Sequence, residues 1–135
     1  MRVFIVDTNV VSFIFKHNTH GEFYKQYVND DSVCAICFQT LAELEQWAAI
    51  YKWGDKKRDE LRAFIENGFI VVDSDVALCR IWAEVRAVTR KLGRSIDNAD
   101  AWIAATALLY GAELVTHNAS HFDFLPGLRI ITETT

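Results

Sequence analysis

Five short runs of the chain, VFIV (3–6), SVCAIC (32–37), FIVV (69–72), ELVT (113–116) and LRII (128–131), are rich in apolar and β-branched residues and lack the strict polar alternation of a half-solvated strand. A strand of that kind buries both of its faces, which requires a covering layer on each side. The intervening segments read as helices. VVSFIF follows Asp7-Thr8-Asn9, LEQWAAIY follows Thr40-Leu41-Ala42-Glu43, and a long amphipathic stretch from Ser74 to Leu92 carries Val76, Cys79, Ile81, Trp82 and Val85 as its apolar stripe. Gly93 stops that helix. Strands alternating with helices predict an α/β fold: a parallel sheet between two helical layers. In such a sheet ligands collect beyond the carboxyl ends of the strands, above all where the strand order reverses.

At 135 residues, 51% of them hydrophobic, the chain fits a single domain with one packed core, 1–135. One proline and the absence of low-complexity segments leave no room for a long linker. Three cysteines without a secretory segment suit a reducing compartment, so the expected location is the cytoplasm. Cys34 and Cys37 have redox-like spacing but lie within a predicted buried strand, and no second pair completes a zinc cage. No run approaches the ~18 apolar residues of a membrane span. The net charge of −4 provides no global attraction for nucleic acid, so any such binding must be local. Basic residues gather at Lys56, Lys57 and Arg58, and again at Arg86, Arg90, Lys91 and Arg94. The second group is a candidate phosphate-tracking surface; both also read as solvated helix faces.

The stretch SIDNADAWIAATAL (95–108) places a carboxylate where none belongs. On a helix Asp100 shares a face with Ile103, Ala104 and Ala107. Asp97 is a good N-cap, and Asp100 then lies in the first turn, near free N–H groups and the positive end of the helix dipole. Two more acids and an amide end at the same rim. Asp7 follows the first strand, Glu43 lies early in the helix after the second, and Asn118 follows the fourth. Each has a local explanation: Asp7 as a cap, Thr40 and Glu43 as a capping box, Asn118 as a turn residue. One shared cause explains them together. Three clustered carboxylates repel one another and either hold protons or bind a cation. An all-oxygen donor set favours Mg²⁺ or Mn²⁺, which engage phosphate oxygens and generate hydroxide for in-line attack on a phosphodiester.

Four segments, VFIVDTNVVS at the start, TLAEL (40–44), DAWIAATAL (100–108) and LVTHNASHFDFLPGLRI (114–130), resemble the PIN-domain ribonucleases, and within them the VapC-type toxins of bacterial toxin–antitoxin pairs. The resemblance runs nearly end to end. It implies a three-layer α/β/α sandwich around a five-stranded parallel sheet of order 3-2-1-4-5, and a metal-dependent endoribonuclease acting on RNA. The acidic metal site then falls on Asp7, Glu43 and Asp100, with Asn118 at a fourth catalytic position that is often Asp in the family. Thr8 and Thr116 become hydroxyls that orient ligands or waters, and a homodimer and a cognate antitoxin become the partners. Two other readings stay open: a catalytically impaired binding module of the same fold, favoured by Asn118, and a Mg²⁺-dependent phosphatase with Asp7 as nucleophile, disfavoured by Asn9 two residues on. Asp97 reads as a cap, Asp123 as a spare acid, and His117 as a minor candidate for a phosphate contact. The spacing of His117 and His121 suits zinc only on a helix, and the sequence around them reads as loop. The four tryptophans are assigned to the core or an interface.

Overall fold

A computed structural model describes residues 2–134. In chain order the elements are β1 (Val3–Val6), α1 (Thr8–Phe15), α2 (Thr19–Tyr24), β2 (Val33–Cys37), α3 (Phe38–Ile50), α4 (Asp55–Gly68), β3 (Ile70–Val72), α5 (Val76–Lys91), α6 (Asn98–Leu109), β4 (Glu113–Val115), a 3₁₀ turn at Ala119–His121 and β5 (Ile130–Ile131). The five strands form one sheet of order β3-β2-β1-β4-β5, and every neighbouring pair is parallel. The chain therefore winds outward from β1 in one direction through β2 and β3, then crosses back to add β4 and β5. The reversal lies between β1 and β4, where Val6 faces Val115 across the ladder.

Alternation along each strand divides the core into two layers. Phe4, Val6, Cys34, Ile36 and Val115 point to one face, where they meet Val10, Val11 and Ile14 of α1, Tyr24 of α2, Leu44 of α3 and Leu61 and Ile65 of α4. Ile5, Ala35, Cys37 and Leu114 point to the other, where α5 contributes Leu78 and Val85 and α6 contributes a run of alanines with Ile103. The small side chains of α6 let that helix lie close over the middle of the sheet, which explains a sequence with little amphipathic contrast. Trp82 and Trp102 stack at 5.0 Å beside this layer, with Phe38 edge-on to Trp102 at 5.3 Å. Cys34 and Cys37 are buried free thiols.

Gly93 ends α5 with φ +68°, a conformation that needs no Cβ, and so acts as the stop read from the sequence. Gly21 has a different job. A Cβ there would meet the Phe13 carbonyl oxygen at 2.8 Å, so its absence is what lets α2 fold back tightly onto α1. No helix among the described residues is long and apolar enough to cross a membrane.

Candidate active site

Asp7 stands at the switch point. Its N–H donates to the Val115 carbonyl at 2.8 Å, which carries the β1–β4 ladder one residue past the strand. With φ −70° and ψ 155° it caps α1, and its Oδ1 accepts from the Thr8 N–H at 2.7 Å. Its Oδ2 accepts from the Thr116 hydroxyl at 2.7 Å. Both oxygens are thus oriented while retaining lone pairs for another partner. The residue is 5% exposed. Burial pushes its carboxyl above the ordinary Asp range, against the Thr116 and Thr8 hydrogen bonds that favour the charged form.

Glu43 reaches the same network by a route that corrects the capping-box expectation. β2 runs straight into α3, and Cys37, with φ −66° and ψ 148°, is the N-cap without any side-chain cap bond. The helix starts where the strand ends, so Thr40 is already its third residue, fully buried, and Glu43 stands in the second turn. Instead of closing on their own backbone, both turn to α1: the Thr8 hydroxyl lies 3.0 Å from that of Thr40 and donates to Glu43 Oε1 at 3.0 Å. Partial burial raises the Glu43 carboxyl; the Thr8 bond opposes this, while the charges of Asp7 and Asp97 add to it.

Asp97 is the N-cap of α6, its Oδ1 accepting from the Asp100 N–H at 2.8 Å. Asp100 is the third residue of that helix, on the line of the fully buried Ile103, Ala104 and Ala107. Desolvation, then the negative charges of Asp97 and Asp7, push its carboxyl up to about 6, partly offset by His121. The His121 Nδ1 is 3.1 Å from Asp100 Oδ2. Sequence reasoning missed this neighbour; the available signal was its position three residues after Asn118 in the same loop. Asn118 itself enters through the backbone, its N–H donating to Thr116 Oγ1 at 3.0 Å. Thr116 therefore donates to Asp7 and accepts from Asn118, and each threonine hydroxyl expected to orient the site bonds one of its carboxylates. Asp123 is exposed. His117 pairs with Tyr24 at 2.7 Å rather than with His121, so the two histidines share no ligand position.

The basic group beside α6 divides on inspection. The half-buried Arg86 donates to the Ile96 carbonyl and lies over Trp82 at 5.7 Å, so it fastens the α5–α6 connection. Arg94 covers the Phe124 ring at 4.3 Å. Arg90 and Lys91 are exposed in the last turn of α5. In the other group Arg58 ties down the α3–α4 turn through the Trp53 and Ala48 carbonyls at 2.9 and 3.0 Å, and Lys57 sits over Trp53 at 3.8 Å.

Comparison with known proteins returns the same architecture. A family model described as PIN domain matches residues 4–125. The chain is 29% identical over 133 residues to a tRNA(fMet)-specific endonuclease VapC of Shigella flexneri, covering 96% of each protein. Its fold superposes with a TM-score of 0.85 on a chain of the VapBC2 structure from Rickettsia felis bound to a promoter DNA fragment, at 24% identity and covering 96% of this chain and 98% of that one. A member of the VapBC family of toxin–antitoxin systems from Mycobacterium tuberculosis superposes with a TM-score of 0.70 at 23% identity, covering 98% of this chain and 99% of that one.

Proposed function

Because the chain belongs to the PIN-domain family, we propose that it is a divalent-metal-dependent endoribonuclease and the toxin of a toxin–antitoxin pair. The observation that carries this reading is Asp7, a carboxylate 5% exposed with both oxygens oriented by donors, whose charge adds to the desolvation that raises the carboxyls of both Glu43 and Asp100. Three such groups can discharge their repulsion onto a cation, and oxygen donors alone fit Mg²⁺ or Mn²⁺. Asp7, Glu43 and Asp100 would hold it, with Asn118 able to add a neutral carbonyl oxygen. When bound, the ion polarises a phosphodiester and lowers the pKa of water. Thr116 and Thr8 are positioning residues: they fix which Asp7 and Glu43 oxygens point into the site.

The substrate on this reading is RNA, and the partners are a second copy of the chain and a cognate antitoxin. An arginine inserted among the three carboxylates is the cheapest inhibitor, since its guanidinium binds them bidentately and removes their repulsion. The relatives' activity on RNA and the VapBC assemblies among the structural neighbours support this. Asn118 favours the alternative of a binding module with impaired catalysis.

The test is RNA cleavage by purified protein in Mg²⁺ or Mn²⁺ against chelator. Asp100→Asn should keep the fold and lower cleavage by ~10²-fold or more. Expression of the chain alone should arrest growth, Asp7→Ala should relieve the arrest, and the wild-type protein should co-purify with a small partner encoded beside it. Undiminished cleavage by Asp100→Asn overturns the metal site. Harmless expression with no cleavage makes the binding module the better reading, and hydrolysis of phosphomonoesters instead of RNA would make the protein a phosphatase.

A further inference from the structure

One nitrogen of His20, one of His117 and one oxygen of Glu133 lie within 4.8 Å of one another. They come from three separate parts of the chain: α2, the loop after β4, and the segment after β5. The proposed nuclease reaction uses none of the three. His20 Nδ1 is 2.6 Å from Glu133 Oε1, and the two imidazole rings are 4.6 Å apart. Phe13 walls the group, 5.1 Å from the His117 ring and 5.3 Å from that of His20.

The hydroxyl of the fully buried Tyr24 decides what His117 offers. That oxygen accepts from the Glu133 N–H at 3.1 Å and lies 3.3 Å from the Thr116 carbonyl, which can only accept, and 2.7 Å from His117 Nδ1. The Nδ1 of His117 is thus engaged by the hydroxyl, and its Nε2 is the nitrogen left to face an ion. A histidine whose far nitrogen is held in this manner is oriented as metal-bound histidines are. The backbone that carries the carboxylate is fixed as well: it is tied to Tyr24, and the next residue, Thr134, donates through its hydroxyl to the His117 carbonyl at 3.2 Å.

We propose that His20, His117 and Glu133 form a second metal site, selective for a nitrogen-preferring ion such as Zn²⁺ and separate from the acidic centre. Two imidazoles and one carboxylate are a three-ligand zinc set with a fourth position left for water, and they are a poor set for Mg²⁺. Zinc–nitrogen bonds of ~2.0–2.1 Å require tetrahedral ligand atoms ~3.3 Å apart. His20 is exposed and Glu133 only half-buried, so side-chain rotation can close the set, and the His20–Glu133 hydrogen bond gives way to coordination on binding. The ion would clamp α2 and the segment after β5 onto the loop that carries Thr116 and Asn118.

Zinc titration of the Asp7→Asn/Asp100→Asn double variant tests this with the acidic centre disabled. One Zn²⁺ per chain should bind and raise the melting temperature by on the order of 5–10 °C at a hundredfold excess over Kd. Co²⁺ in its place should show the visible bands of a four-coordinate nitrogen–oxygen site. In the same background His20→Ala and Glu133→Gln, both at accessible positions, should abolish stoichiometric binding, and Tyr24→Phe should weaken it ~10- to 100-fold. Absence of zinc uptake by the double variant overturns the site, as does uptake that His20→Ala and Glu133→Gln leave unchanged. Neither result bears on RNA cleavage by the wild-type chain.

Discussion

Asp100 concentrates the tension of the molecule in one side chain. In the unfolded chain it titrates near the usual ~3.9, whereas in the fold desolvation and the charges of Asp97 and Asp7 bring it to about 6. A raised carboxyl means that the folded state holds its proton more tightly, so its contribution to stability is present below pH ~4 and is lost as pH rises through 6. We predict that in chelator Asp100→Asn and wild type unfold at similar urea concentrations at pH 4, and that the variant gains on the order of 1–2 kcal/mol by pH 7. A gap independent of pH would show that Asp100 titrates alike in the folded and unfolded chain. The oddity of this residue, a carboxylate on an apolar helix face, was plain in the sequence. Its partner His121 was not, because a side-chain contact between a helix start and a 3₁₀ turn leaves no periodic trace.

At the scale of elements, the strands and their parallel arrangement were legible from unalternated β-rich runs alternating with helices, whereas their order 3-2-1-4-5 came from the family resemblance. Two helices were not. α2 is six residues long, too short to show a period, and α4 buries only Leu61 and Ile65 in a sequence dominated by charge, so its basic residues read as a surface patch. The capping box failed for a related reason: the motif was present in the letters, but β2 passed into α3 without a loop and put the N-cap at Cys37, three residues ahead of Thr40. α2 depends on Gly21, where the atoms facing an added Cβ belong to the backbone of Phe13 and Ile14 and cannot turn aside. Gly21→Ala should therefore destabilise the fold by about 1–2 kcal/mol, even though alanine is the better helix former by up to ~1 kcal/mol. A higher urea midpoint for Gly21→Ala would show that α1 and α2 have room to separate.

Across the whole molecule, a net charge of −4 sets repulsion against any polyanion, so a nuclease built on this chain must draw RNA to it locally. In the group beside α6, Arg86 is occupied with a carbonyl and Arg94 with the Phe124 ring, which leaves Arg90 and Lys91 as the exposed cations of that group near the Asp97–Asp100 helix start. Arg90→Glu/Lys91→Glu should weaken RNA binding alike across sequences and flatten its salt dependence by about two counterions, whereas Arg86→Ala should chiefly lower the melting temperature. An unchanged salt slope in the double reversal would assign that turn to solvent alone. The bond between Thr116 and Asp7 spans 109 residues of sequence, and β1 waits at the centre of the sheet for a strand that follows almost everything else. During translation the ribosome therefore carries a nascent chain whose first acid has no hydroxyl to orient it and whose switch point does not yet exist. On the proposed reading, a chain made in this order has no complete acidic site until β4 and Thr116 have been synthesised.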